Sequence, residues 1–147
     1  MWNKTKFTDL LNIQYPIVQG PFGAGLSSAA LTSVVSNAGA LGSFGGQPYT
    51  VTEIVGYARE IRYRTNKPFN INLWAKDRDD RLADYSDKDY ENLVKLFRPY
   101  FEEMHIDLPE RPMDLGPKFE EQVEAIYEVR PAVFSFVYGI PTEEVLE

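Results

Sequence analysis

Short apolar runs alternate with amphipathic stretches along this chain, and a glycine, a proline or a capping residue marks almost every changeover. Residues 15–19 form such a run, closed by Gly20, and read as a strand. Residues 20–26 read as a loop. Ser27 or Ser28 then caps a helix whose Leu31, Val34, Val35 and Ala38 share one face, with Gly39 as its stop. Residues 40–44 read as a second strand, closed by Gly45 and Gly46. Thr50 and Glu53 have the spacing of a capping box ahead of a helix carrying Ile54, Ala58 and Ile61. Lys67-Pro68 ends that helix, and residues 69–74 read as a third strand. Residues 75–85 are polar and loop-like. Ser86 with Asp89 opens a longer helix bearing Tyr90, Leu93, Val94, Phe97 and Phe101. Three prolines and a glycine make residues 108–117 an irregular connection. Phe119, Val123 and Ile126 mark another helix, residues 132–137 a fourth strand, and Thr142 the cap of a last helix.

Apolar strands alternating with helices imply an α/β fold with a parallel sheet covered by helices. Both a doubly wound open sheet and part of a (β/α)8 barrel satisfy that pattern. The third strand separates them. Alternation puts Phe69, Ile71 and Leu73 on one face and Asn70 and Asn72 on the other. A sheet with helices on both sides calls for apolar residues on both faces. One apolar and one polar face suits a barrel whose interior opens to a ligand.

Charge is distributed to match. Residues 10–52 carry none and hold seven of the ten glycines, so this stretch reads as buried or ligand-facing. Residues 77–128 carry sixteen acidic and seven basic residues and read as a solvated outer layer. The net charge of -7 opposes binding to a phosphate backbone, so no nucleic-acid partner is expected. The chain has no cysteine, which excludes a disulfide scaffold, a thiolate metal site and a cysteine nucleophile. No run approaches the roughly 20 apolar residues of a membrane span. The N-terminal residues lack a signal-peptide core, and a cytoplasmic location is expected.

Four motifs in order carry a resemblance. They are Tyr15-Pro16-Ile17-Val18-Gln19-Gly20-Pro21-Phe22-Gly23, then Val35-Ser36-Asn37-Ala38-Gly39-Ala40-Leu41-Gly42-Ser43, then Lys67-Pro68-Phe69-Asn70-Ile71-Asn72-Leu73, and last Pro131-Ala132-Val133-Phe134-Ser135-Phe136-Val137-Tyr138-Gly139-Ile140-Pro141. Together they resemble the nitronate monooxygenases, once called 2-nitropropane dioxygenases. The resemblance implies an FMN-binding TIM (β/α)8 barrel, a fold that typically takes about 250 residues. This chain then supplies the N-terminal half, about four βα units over residues 1–147, with a helical insertion between the third and fourth strands. The resemblance also implies that Gly20, Pro21 and Phe22 contact the flavin ring through main-chain groups, that Asn72 contacts it through its amide, and that Gly23 and Gly139 border the substrate pocket. The family usually has Met where Phe22 stands. The implied reaction, that of the parent enzyme, is oxidation of an alkyl nitronate by FMN and dioxygen to a carbonyl compound and nitrite; the isolated fragment is expected to be inactive. A flavin-dependent enoyl-acyl-carrier-protein reductase is the nearest alternative. A non-catalytic half-barrel working only with a partner chain, and a truncated product, are further ones.

Several tempting features carry a plainer reading. The order G-x-x-G-x-G at residues 20–25 is neither a Walker loop nor a dinucleotide fingerprint. His105, the only histidine, sits near the end of a charged helix, where a solvated cation is favoured. The family's catalytic histidine lies in a glycine-rich motif beyond the fourth strand, so no catalytic residue is assigned. Asp79-Asp80 and Glu120-Glu121 read as exposed charges. Asp77, Asp79 and Asp80 lack the glycine and distal Glu of a calcium loop, and no metal site is expected. Asn70 reads as structural. Phosphate in such barrels binds near the loops after strands seven and eight, so weak FMN retention is expected here. Open strand edges point to self-association.

Overall fold

A computed structural model describes residues 1–23, 25–75, 86–110 and 116–147. The elements in chain order are α1 (Lys6–Leu11), α2 (Ala29–Asn37), β1 (Gly42–Gly45), α3 (Val51–Arg64), β2 (Phe69–Trp74), α4 (Asp87–Glu103), α5 (Phe119–Val129), β3 (Val133–Val137) and α6 (Glu143–Leu146). The chain divides into two compact units, Met1–Asp77 with Gly116–Glu147, and Arg78–Leu115. Most of the expected loop at residues 75–85 and part of the one at 108–117 lie outside the described residues.

In the first unit the sheet is wholly parallel and its order is β1-β2-β3. Gly42 stands opposite Phe69 and Gly45 opposite Asn72; on the other side Asn70 stands opposite Val133 and Asn72 opposite Ser135. A single parallel bridge, Val18 to Leu41, adds the preceding segment at the outer edge of β1. Spatial order therefore follows chain order with no reversal. An open doubly wound sheet has a point where the order reverses. The described strands follow the barrel pattern.

The expected first strand over residues 15–19 is corrected by this bridge. Pro16 has no N–H, and the Ile17 N–H turns back to the Tyr15 carbonyl at 2.8 Å. The ladder consists of Leu41 N–H to Ile17 O at 2.9 Å and Gln19 N–H to Leu41 O at 3.0 Å. The next rung is made by a side chain: Gln19 Oε1 accepts from Ser43 N–H at 3.2 Å, and its Nε2 donates to Ser43 O at 3.0 Å. A glutamine amide thus stands in for strand backbone.

Helices α2, α3 and α5 cover one face of this sheet. Ala29 from α2, Ile54, Val55, Ala58 and Ile61 from α3, and Ala125, Ile126 and Val129 from α5 pack with Phe44, Phe69, Ile71 and Leu73 in one core. Ile71 and Leu73 are wholly buried, each worth about 1.5–3 kcal/mol of apolar burial. Gly42 lets α2 approach closely, since a Cβ there would stand 2.0 Å from the Thr32 carbonyl oxygen. Ser36 Oγ joins helix to sheet by accepting from Gly42 N–H and donating to Pro68 O.

Helix starts follow the expected caps. Ser28 caps α2, and reciprocal boxes form between Thr50 and Glu53 on α3 and between Ser86 and Asp89 on α4. Gly39 ends the α2 region at φ +90. Helix α1 has no counterpart in the sequence reading; its box is Thr5 with Thr8, where a hydroxyl replaces the usual Glu or Gln. In the second unit α4 runs as expected, and Tyr90 Oη donates to Pro109 O at 2.8 Å.

Two outcomes are expected. Gly42→Ala abolishes the cooperative unfolding transition in urea, because a helix backbone must move away to admit one methyl group. The Glu53 carboxylate accepts from the Thr50 N–H and hydroxyl and is held below its usual range. Its stabilisation is present above the ordinary carboxylate pKa and is lost as pH falls through the lowered one. The stability gap between the wild type and Glu53→Ala, read from urea midpoints at descending pH, therefore closes in acid.

Candidate functional site at the C-terminal ends of the strands

Parallel βα units place their variable loops beyond the C-terminal ends of the strands, where barrel chemistry sits. Three segments of the first unit reach that end: residues 20–23 with 25–27, residues 45–49, and the paired ends of β2 and β3.

The first segment is tightly held. Gly20 O accepts from Gln19 Nε2 at 3.1 Å and from Ser27 Oγ at 3.2 Å, and Phe22 O accepts from Ser27 N–H at 3.1 Å. The loop lies against Gly45, where a Cβ would meet Phe22 O at 2.8 Å. Gly45 is thus the floor of the loop. The Phe22 ring edge would lie 3.1 Å from a Cβ on Gly20, while most of the Phe22 side chain is exposed. The N–H groups of Gly20 and Gly23 bond to no described residue. Pro21 between them has no N–H to offer. Two backbone donors therefore stand open at the mouth.

The second segment is clamped from behind. Gln122 on α5 is 2 % exposed, and its Nε2 lies 3.1, 2.9 and 2.7 Å from the carbonyl oxygens of Gly46, Gln47 and Tyr49. The Tyr49 ring packs with Phe44 and Tyr57. Its phenol is pushed above the ordinary value by burial and then by the neighbouring Tyr57, so it stays protonated.

The third segment carries the inner polar face. Asn72 is 4 % and Asn70 3 % exposed, and both donate from Nδ2 to Ser135 Oγ, at 3.0 and 2.8 Å. Ser43, opposite Asn70 in the register, completes this polar row. Ser43 Oγ and Asn70 Oδ1 are enclosed with no partner among the described residues. At the strand ends Trp74 and Tyr138 meet edge to face at 5.0 Å between centroids. Tyr138 has φ 68, a backbone region seldom taken by an aromatic residue.

The structure brings Gly20, Pro21, Phe22, Gly23, Asn72 and Gly139 to the same end of the sheet. Gly139 has a local reason to be glycine, since a Cβ would stand 1.9 Å from the Ala75 carbonyl oxygen. Gly23 has ordinary room for one, with Pro48 Cδ at 3.9 Å. Asn70 donates to the same Ser135 oxygen as Asn72. His105 belongs to the second unit, one residue beyond the α4 C-cap Met104, at φ 54. Asp79 and Asp80 lie outside the described residues; Glu120 and Glu121 are exposed in the first turn of α5, where acidic residues are favoured. No cluster of metal-ligating side chains occurs among the described residues. A cavity of about 320 Å³ lined by Arg62, Thr65, Lys67, Phe69 and Ala132 lies at the opposite, N-terminal end of β2 and β3, the end of such folds tied to stability.

Three residues of the site were missed in the sequence: Gln19, Gln122 and Ser135. Gln122 had a signal, a polar residue three positions after Phe119 and four before Ile126, inside the apolar stripe. Ser135 had the alternation of β3, which puts it between Phe134 and Phe136 on the face of Asn72. Gln122→Leu leaves three loop carbonyls without their donor. It is expected to cost about 1–3 kcal/mol and to raise amide hydrogen exchange most at residues 46–50.

Residues 4–147 match the family profile described as nitronate monooxygenase. Proteins named probable nitronate monooxygenase from Staphylococcus haemolyticus and from Staphylococcus aureus strain JH9 are 29% and 28% identical over 147 residues. The matches cover all of this chain and 40% of each relative. Among solved structures, a nitroalkane oxidase from Streptomyces ansochromogenes superposes with a TM-score of 0.73 at 22% identity, over 97% of this chain and 38% of that one. FabK from Thermotoga maritima gives 0.64 at 24% identity, over 95% and 32%. These structures show the shared fold: the described chain is a partial (β/α)8 barrel. No described helix is long and apolar enough to cross a membrane. The chain belongs to the nitronate monooxygenase family and spans about 40% of the length of the curated relatives it matches.

Proposed function

We propose that this member of the nitronate monooxygenase family builds the ring-facing side of an FMN site in an enzyme that oxidises alkyl nitronates with dioxygen to a carbonyl compound and nitrite. The observation that carries the reading is one juxtaposition. Supporting it, the N–H groups of Gly20 and Gly23 bond to no described residue, Gly23 N lies beside Gly45, and Gly45 stands opposite the Asn72 amide at the C-terminal end of the sheet.

The residues present suit the ring. A flat heteroaromatic needs backbone at close approach, donors and acceptors for its polar edge, and an apolar contact for its face. The pinned loop at residues 20–23, the Asn72 amide and the exposed Phe22 supply these in turn. The phosphate is not served in the same way, since residues 10–52 carry no charge. FMN, when bound, supplies the redox chemistry, and the protein supplies position and electrostatics. A nitronate is already an anion, so this part of the protein need not remove a proton. Its task is to hold the ring edge, with Gly45 and Gln122 fixing the loops, and to leave space beside it. In this reading Gly23 and Gly139 border that space.

A flavin-dependent enoyl-acyl-carrier-protein reductase is the second reading, favoured by the fold shared with FabK. The β3 edge, unpaired among the described residues, is where a further strand or a second copy would add.

The test is a titration of the purified chain with FMN and with lumiflavin, which lacks ribityl phosphate, followed by nitrite release from propane-2-nitronate in excess FMN. Similar affinities for the two flavins are expected, and Asn72→Ala weakens both by about tenfold, the loss of one hydrogen bond of about 1.4 kcal/mol. Flavin-dependent nitrite release bears the proposal out. Oxidation of NAD(P)H with reduction of an enoyl thioester, and no nitrite, moves the assignment to the reductase. Flavin binding unaffected by Asn72→Ala contradicts the proposed site.

A further inference from the structure

Asn72 is a buried amide with two unlike ends, and a ligand meets whichever end is turned toward it. In this structure Ser135 holds the donor end. Its Oγ lies on β3 directly opposite Asn72 in the register and accepts from Asn72 Nδ2 at 3.0 Å. It also accepts from Asn70 Nδ2 at 2.8 Å, so one hydroxyl oxygen takes a donor from each of two successive inward residues of β2. A hydroxyl oxygen has two lone pairs, and both are used.

The consequence falls on Asn72 Oδ1. With Nδ2 held on Ser135, the oxygen is turned away from β3. It accepts from no described residue. Unlike Asn70 Oδ1 and Ser43 Oγ, it is not one of the enclosed unpartnered atoms. Asn70 and Asn72 share a face and a partner, but only the one nearer the C-terminal end keeps an oxygen that is not shut in. That oxygen is the acceptor this row of side chains offers at the mouth.

We propose that Ser135 is a positioning residue that orients the Asn72 amide, so that the site presents an acceptor and selects a ring edge bearing an N–H, as on the pyrimidine side of an isoalloxazine. This rests on the flavin reading above and deepens it. Ser135 need not touch the ring; it acts through Asn72.

Lumiflavin and 3-methyl-lumiflavin test it, because they differ only in whether that ring edge carries N–H or N–CH3. The Asn72 side-chain amide signals in ¹⁵N–¹H correlation spectra report binding at the site directly. In the wild type, lumiflavin shifts these signals and binds at least about fivefold more tightly than its methylated analogue, about 1 kcal/mol at tenfold per 1.4 kcal/mol. Ser135→Thr keeps the hydroxyl and the preference. Ser135→Val has the same shape as the Thr variant without the hydroxyl. It frees the Asn72 amide to turn over, and the preference falls to near unity while lumiflavin still binds. The Thr and Val pair shares any packing effect, so a difference between them belongs to the hydroxyl. Equal preference in the two variants overturns the proposal and leaves the flavin site standing. Lumiflavin that binds nowhere near Asn72 in the wild type overturns both.

Discussion

Strand β2 shows two unlike faces, and the rest of the first unit is arranged around that asymmetry. Phe69, Ile71 and Leu73 anchor a hydrophobic core that gathers residues from α2, α3 and α5 on a single side of the sheet. Asn70 and Asn72 point the other way, into a row completed by Ser43 and Ser135. Burying amides is expensive unless they are bonded; Ser135 takes the donor end of both, while Asn70 Oδ1 is left enclosed without a partner among the described residues. A second helical layer over that face would bury the row against apolar side chains. The polar face therefore commits the sheet to enclosing an interior, and strand order without reversal completes the barrel pattern.

Two glutamines do much of the holding of the loops at the mouth of this polar interior, beside Ser27 and the packed ring of Tyr49. Gln19 substitutes for a ladder rung on Ser43 and also grips Gly20 O. Gln122 reaches from α5 to three carbonyls of residues 46–49. Gln122 stands on a packed helix, whereas Gln19 stands on the singly bridged segment before β1 and also donates to Ser27 Oγ. Backbone fixed in this way leaves the N–H groups of Gly20 and Gly23 open without letting the loop collapse onto them. Gly45 permits the arrangement by carrying no Cβ beneath Phe22.

Much of this was legible in the residues. Alternation in residues 69–74 gave both faces of β2, and the Thr50–Glu53 and Ser86–Asp89 boxes gave two helix starts to the residue. What was illegible has physical causes. The segment at residues 15–19 has strand composition, yet a missing N–H at Pro16 and an inward turn at Ile17 leave it one bridge. Helix α1 is too short and too polar for periodicity, and its Thr8 does work usually given to Glu. Gly139 resembles a site glycine, but its missing Cβ is already explained by the Ala75 carbonyl, a partner 64 positions earlier that composition cannot reveal. Ser135 and Gln122 act across strands and across helix and loop, so their roles appear only once the register is known.

The central claim is that the mouth, with its open N–H groups and the Asn72 amide, receives a flavin ring. Intermolecular NOEs between the protons of added FMN, its pyrimidine-ring N–H among them, and the protein test it most directly. The account predicts NOEs to Phe22 and to the residues around Gly45 and Asn72. NOEs confined to Arg62, Lys67 and Ala132, at the cavity on the opposite end of the sheet, would contradict it.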